Sequence, residues 1–378
     1  MKPSRRDMLR LGAAGGAAAL ALRVPVLSAA TKAAAGAAPF APNAWVRVSS
    51  DGRVTLVVGH SEMGQGVRTA LAMILADELG ADWSAISIEQ ASPGPGYEDL
   101  STGGSDSVED GWPPLRKAAA AAREMLVAAA ARAWKADPAE CRAESGAVVH
   151  GATGRRAGFG RLASAAAALA VPKEPRLKER SELTLVGKPV RRVDGPAIVS
   201  GRAGYGLDVR IPGMRFAALA RCPVAGGRAR RFDAAKARAV AGVRKVVEVS
   251  TGVAVVADDT WSAMSGRDAL DVEWDAGKGA SLTTEELWSR IDRAFDRPMR
   301  VSRREGDAAA ALPGASRRLT ATYRDAFQAH ASVEPQNCTA RVANGRCEIW
   351  APTQHPQRVQ TTWTGTPTAR ETSAASVA

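Results

Sequence analysis

The sequence predicts a multi-domain α+β chain, and three observations predict it. A chain of 378 residues, 46% hydrophobic and 24% charged, is too long for one ordinary core and too apolar for disorder. Short runs of alternating apolar residues are interleaved with runs at helical spacing. Two stretches rich in Ala, Pro, Gly or charge, residues 32–44 and 171–187, read as linkers.

Taken in order, residues 45–58 read as strand, turn, strand. Trp45, Val46 and Val48 precede Ser50-Asp51-Gly52, after which Val54, Leu56 and Val58 alternate with Thr55 and Val57. Apolar residues at 67, 70, 71, 74, 75 and 79 give a helix, with Gly80 where a C-terminal cap belongs. Ile86 and Ile88 mark a further strand. The Gly/Ser-rich run 93–111 is loop, and Pro113-Pro114 open a long Ala-rich helix that ends before Asp137-Pro138. Beyond the second linker, residues 201–221 read as strands around Ile211-Pro212-Gly213, and 233–240 as a short helix. Residues 243–249 and 253–257 are β-branched strands, 260–267 a helix and 269–274 a closing strand. A third region starts near Ser281 and runs into a hairpin at Asn344-Gly345. The Thr/Ala/Ser-rich tail, 361–378, reads as low-complexity rather than as a strand and helix.

The formal net charge is +12, and setting aside residues 1–38 leaves about +7. The excess is Arg scattered along the chain; the cluster Arg228-Ala229-Arg230-Arg231 reads as a solvated face, and no nucleic-acid partner is expected. Cys141, Cys222, Cys338 and Cys347 form no Cys-x-x-Cys pair, so neither a zinc site nor an iron–sulfur cluster is expected from this chain alone. Counting outward from Asn344-Gly345, Cys347 faces Val342 and Cys338 faces Ala351, so no local disulfide is expected. No apolar segment reaches the ~18 residues of a membrane span.

At the front, Ser4-Arg5-Arg6-Asp7-Met8-Leu9-Arg10 precedes an apolar run and the small residues Ser28-Ala29-Ala30. This is a charged n-region, a short h-region and a possible cleavage site, matching a twin-arginine signal with linker over residues 1–38. It implies export of a folded protein to the periplasm.

Two segments carry the chemistry. Gly59-His60-Ser61-Glu62-Met63-Gly64-Gln65-Gly66 lies between a strand and a helix. Its glycines permit close backbone approach, and the helix N-terminus offers unpaired N–H groups to an anion or phosphate. Alone the pattern is weak, since Gly-x-Gly at a strand end commonly makes only a turn. Neither a Walker-type site nor the dinucleotide fingerprint is present. Leu100-Ser101-Thr102-Gly103-Gly104-Ser105 also feeds a helix and combines hydroxyls with small residues; its bland alternative is a surface loop.

Together these segments resemble a family. Glu62-Met63-Gly64-Gln65-Gly66 is similar to the glutamine-containing glycine loop of the xanthine dehydrogenase family of molybdenum hydroxylases, and Ser101–Ser105 to its second pterin loop. The stretch 186–195, Gly201-Arg202-Ala203-Gly204-Tyr205, Asp208, 252–258 and 269–274 resemble that family's hammerhead α+β domain. His330-Ala331-Ser332-Val333-Glu334-Pro335 and Trp350-Ala351-Pro352-Thr353-Gln354 resemble the first strands of its large cofactor domain. The order, over roughly residues 40–360, is similar to that of the large chains of the isoquinoline 1-oxidoreductase branch.

The resemblance implies a hammerhead-type α+β module over 183–276, flanked by pieces of a molybdopterin-binding domain at 40–170 and 281–360. It implies a molybdenum–pyranopterin, in the cytosine dinucleotide form, that oxidises an N-heteroaromatic or an aldehyde with oxygen from water. Gly64, Gln65, Gly66, Gly103, Gly104 and Ser105 would hold the cofactor. Gln354 matches a glutamine whose amide donates to an oxygen ligand of the metal without titrating. A small [2Fe–2S] subunit and a cytochrome c acceptor are the implied partners, with a small-molecule substrate. Glu334 is read as structural, His60 as either cavity lining or a satisfied histidine, and His330 and His355 as non-ligands. The family's later Gly-rich, Phe-containing loop and general-base glutamate find no match, so no catalytic residue is assigned and a C-terminally truncated chain is expected. The competing reading is a catalytically inactive cofactor-binding or assembly protein of the cell envelope.

Overall fold

A computed structural model describes residues 39–364, apart from Pro95, Glu98 and Gly345, together with the strand Ala374–Val377. The predicted signal segment lies outside these residues. The chain divides into two units, one comprising the residues up to Val209 and from Ser332 onward, the other Arg210–Ala331. The stretch 183–209, assigned from sequence to the hammerhead-like module, falls in the first unit.

The first unit is built on a β–α–β core. β1 (Val46–Val48) pairs antiparallel with β2 (Val54–Val58), and β2 pairs parallel with β3 (Ile86–Gln90). The parallel step needs a crossover, supplied by α1 (Val67–Leu79). Every residue of β2 is buried, so its alternating sequence does not mark a half-exposed strand. Helix α1 ends on Gly80 in the left-handed region, φ 75°, with its N–H returned to the last turn.

Packed on α1 is α2 (Ser107–Trp134), the long Ala-rich helix. It starts six residues before the predicted prolines, which lie inside it rather than at its first position. Pro113 and Pro114 lack N–H groups, so they disturb two early ladder bonds. Glu109 and Asp110 in the first turn favour the earlier start by opposing the positive end of the helix dipole. Gly111 lets the helices approach, since a Cβ there would sit 3.0 Å from Leu71. Phe40, Leu56, Leu71, Leu75, Leu79, Leu126 and Phe159 are among the large members of the shared core.

The sequence reading did not resolve the next elements. β4 (Cys141–Glu144) and β5 (Ala147–His150) form a hairpin about Ser145-Gly146, both at positive φ. β6 (Arg156–Gly158) joins β5, and α3 (Phe159–Ala167) closes on α2.

The second linker is an anchored strap. The carboxylate of Asp77, fully buried in α1, accepts the backbone N–H groups of Thr184, Leu185 and Val186 at 2.8–3.1 Å. Glu78 beside it accepts the Lys178 N–H at 2.8 Å and pairs with Arg116 and Arg123. Farther along, the N–H of Val193 reaches the Thr69 hydroxyl in α1 at 3.1 Å, and Gly195–Val199 forms a short helix α4.

In the same unit, β12 (Thr339–Ala343) and β13 (Arg346–Trp350) make the predicted hairpin, with Val342 opposite Cys347. The tail differs from its low-complexity reading. Residues Pro356–Thr364 are helical, starting on a proline whose missing N–H is harmless there, and Ala374–Val377 pairs parallel with β13. An Ala/Ser/Val strand carries no period of its own; its pairing is supplied by the β13 edge.

The second unit has a three-stranded sheet of β7 (Phe216–Arg221), β10 (Gly252–Ala257) and β9 (Val243–Val249), with β10 central. A separate ribbon pairs β8 (Arg228–Asp233) with β11 (Asp271–Asp275). The predicted helices appear as α5 (Ala235–Ala239) and α6 (Thr260–Asp268). Of the predicted 201–221 strands only 216–221 forms, because the stretch before Ile211-Pro212-Gly213 is turn and 3-10 helix. The arginine cluster 228–231 is itself a strand, with Arg230 and Arg231 paired to Glu273 and Arg228 to Asp275. Among the described residues no helix is long and apolar enough to cross a membrane.

Candidate functional site

The glutamine-containing loop leaves the end of β2 and enters α1. Gly64 and Gly66 sit at φ 109° and 85°, where a side chain would strain the backbone. One of the first helical N–H groups, which the sequence reading leaves open for a ligand, has an internal partner, as do two amides of the loop before it. Glu62 accepts Gly64 and Gly66 N–H on Oε1 at 2.8 and 3.0 Å, and Arg68 N–H on Oε2 at 3.1 Å. The side chain of Gln65 is also turned onto the loop, donating to the Ser61 carbonyl at 2.9 Å and accepting Met63 N–H at 2.8 Å. In this state Gln65 shapes the loop, and the cradle at the α1 N-terminus is filled by the chain's own carboxylate. Glu62 lies within the quoted motif; an acid two and four residues ahead of the glycines is the signal that points to it.

The second loop converges with the base of the first. Ser61 N–H donates to the buried Thr102 hydroxyl at 2.8 Å. A third segment closes the junction: Thr102 N–H donates to the Gln354 carbonyl at 2.8 Å, and Gln354 Nε2 donates back to the Thr102 carbonyl at 2.7 Å. Ser61 Oγ donates to the Thr353 carbonyl at 2.8 Å, and Leu100 N–H to Gln357 Oε1 at 3.2 Å. Leu100, fully buried against Val57 and Ala91, anchors the loop. The structure therefore joins 59–61, 100–104 and 353–357, and the Gln354 amide serves that seam.

Beside the seam lies a cavity of about 500 Å³. Gly103 and Gly104 line it with Ser101, His60, Asp99, Asp106, Asp110 and His355; Trp45, Leu71 and Leu115 supply apolar wall. Of the sequence-proposed residues, Gly103 and Gly104 line this cavity, whereas Gly64, Gln65, Gly66, Ser105 and Gln354 do not. No Lys or Arg is among the described residues lining it. His60 Nδ1 is buried without a hydrogen-bond partner among the described residues. The Ser101 hydroxyl and N–H, aided by His60 and His355, hold the Asp99 carboxyl below its usual range. Of the histidines first read as non-ligands, His355 thus joins the lining. Glu334 has the structural role read for it, accepting Leu207 N–H at 3.1 Å and Asn337 Nδ2 at 2.9 Å.

The donor and acceptor chemistry decides what fits. Carboxylates and imidazole nitrogens accept hydrogen bonds, and a pterin ring presents several N–H donors to such a wall. Phosphate would meet like charge in this cavity. The residues present therefore fit the pterin end of a molybdenum–pterin group better than its phosphate end.

Two molybdopterin cofactor-binding domain models match the chain, over residues 16–197 and 294–368. The beta chain of isoquinoline 1-oxidoreductase from Brevundimonas diminuta is 30% identical, over 84% of this chain and 47% of that protein. The membrane-bound aldehyde dehydrogenase (pyrroloquinoline-quinone) of Gluconacetobacter polyoxogenes is 31% identical, over 84% and 43%. A nicotinate dehydrogenase subunit of Pseudomonas putida is 30% identical, over 82% and 27%. The chain thus spans about half or less of the curated relatives it matches. Among solved structures, quinoline 2-oxidoreductase from Pseudomonas putida 86 aligns with 27% identity over 31% of this chain and 15% of that one, at a TM-score of 0.28. The chain therefore carries molybdopterin cofactor-binding domains and is homologous to the isoquinoline 1-oxidoreductase beta and nicotinate dehydrogenase B chains, large subunits of the xanthine dehydrogenase family.

Proposed function

We propose that this chain is the molybdopterin-binding part of a molybdenum hydroxylase that oxidises an N-heteroaromatic compound or an aldehyde with oxygen from water. The observation that carries this reading is the three-way seam of Ser61, Thr102 and Gln354 beside a glycine-walled cavity. It joins Ser61, at the base of the first loop, to Thr102 of the second and to the Gln354 segment. Gly103 and Gly104 would let the ring system approach the backbone, while Asp99 and Asp106 would accept its N–H groups. The bound group supplies two-electron chemistry, and the protein supplies position and polarity. The substrate class rests on the relatives' names, isoquinoline, nicotinate and aldehyde.

The cytosine dinucleotide form, a small [2Fe–2S] subunit and a cytochrome c acceptor belong to the same reading. So does export to the periplasm by the twin-arginine route, which rests on Arg5-Arg6 and the apolar run after them. The test is to purify the full chain from cells that make the cofactor. Molybdenum is measured by elemental analysis and pterin by fluorescence after oxidative release. Both should be present near one per chain, and Gly103→Ala should lower both. A chain devoid of molybdenum and pterin, made where a known member of the family is loaded, would sink the reading.

A further inference from the structure

The strap does more than cross α1. At its far end Arg192 reaches the glutamine-containing loop, 128 residues earlier in sequence. Its Nη1 donates to the Gly64 carbonyl at 2.8 Å, and its Nη2 lies 3.2 Å from Glu62 Oε1. Asp194 orients the guanidinium through a two-point contact, at 2.9 Å to Nε and 2.7 Å to Nη2. The contact is half-sheltered, with the Glu62 side chain 15% exposed and that of Arg192 36%.

These contacts form a chain of control. Glu62 holds the loop from inside by its three backbone N–H groups, and Arg192 holds Glu62 and the loop carbonyl from outside. Val193 N–H on the Thr69 hydroxyl fixes the strap beside the loop, so Arg192 is delivered to one place. Gly64 and Gly66 have open space around them and no packing of their own to keep their shape.

We propose that Arg192 is a positioning residue: it latches the Glu62-centred loop in its closed form and ties the loop's shape to the segment that leads out of the first unit. The latch stands on its own contacts; only its importance to cofactor binding rests on the function proposed above. A lysine cannot reproduce it, because one ammonium lacks the planar fork that serves Asp194, Glu62 and the Gly64 carbonyl together.

The test is amide hydrogen exchange on the full chain, comparing wild type, R192A, R192K, E62Q and E62Q/R192A. In R192A, exchange of the Gly64, Gly66 and Arg68 amides should rise about fivefold, while β2 and the last turn of α1 stay within about twofold. R192K should recover part of the protection. R192A should add less on the E62Q background than on wild type, as coupled partners do. Unchanged exchange in R192A, or an equal rise along all of α1, would overturn the latch. Molybdenum content, measured on the same samples, separates the two ideas. A metal-free wild type with the loop-specific change keeps the latch and fails the cofactor reading. A loaded wild type without that change does the reverse.

Discussion

Glu78 and Arg123 meet in the interior between α1 and α2: the Glu78 side chain is fully buried, that of Arg123 is 10% exposed, and Arg123 also donates to the Glu78 main-chain carbonyl at 2.6 Å. Arg116 and the Lys178 N–H take the remaining carboxylate capacity. Glu78→Ala leaves two sheltered guanidinium groups with main-chain carbonyls but no carboxylate, so it should cost about 3–5 kcal/mol, the range for breaking a buried pair. Replacing both members, Glu78→Leu with Arg123→Met, should cost less than that single change. Urea unfolding measures both, and a double variant worse than E78A would refute the pairing account.

Asp77 makes acid stability testable. Burial pushes its carboxyl up, but the N–H groups of Val186, Thr184 and Leu185, with the Lys178 ammonium, outweigh burial and hold it below its usual value. A lowered folded-state pKa means the unfolded chain takes up the proton first. The contribution is therefore complete above the unfolded value of about 3.9 and drains away as pH falls through the folded value. Urea midpoints taken from pH 7 down to 3 should fall more steeply for wild type than for Asp77→Asn, which should start lower at pH 7. Parallel curves would contradict this.

Two glycines with similar dihedral angles should respond unequally to Ala. At Gly80, φ 75°, a Cβ would lie 2.5 Å from the Ala143 carbonyl oxygen; at Gly66, φ 85°, it would meet nothing within 4 Å. Gly66→Ala should cost about 1–2 kcal/mol of backbone strain alone. Gly80→Ala adds a clash with backbone and should cost more. Thermal unfolding of both variants settles the ranking.

Gln354→Ala removes one hydrogen bond to Thr102 and should lower stability by about 1 kcal/mol. Gln354→Glu should be worse, because a carboxylate would face the Thr102 carbonyl. Both should speed amide exchange at Thr102 and leave α2 unaffected; an effect confined to α2 would count against the seam.

Much of the first unit was legible because its signals are local. The Val67–Leu79 spacing, Gly80 and the Asn344-Gly345 turn each fix their element within a few residues. What escaped depends on partners distant in sequence. The β8 strand hides behind arginines because Glu273 and Asp275 on β11 neutralise them. The prolines of α2 misplace its start because the acids ahead of them carry the first turn. At the site, Ser61 at the base of the first loop meets Thr102 of the second beside Gln354, but Gly64, Gln65 and Gly66 lie off the cavity, and Glu62 filling the cradle was not foreseen. A glycine loop at a helix start invites the thought of a ligand, and one flexible carboxylate a few residues upstream satisfies the same N–H groups.

The strap has a practical bearing on how this polypeptide can be divided. Its proline and charged residues give it the look of a spacer, where a cut or an insertion would be tolerated. Yet residues 178–193 grip both extremities of a single helix, through Asp77 and Glu78 at one and Thr69 at the other. Excising or lengthening them would disturb the helix at both tips, so a separately expressed first unit should retain everything through Val209.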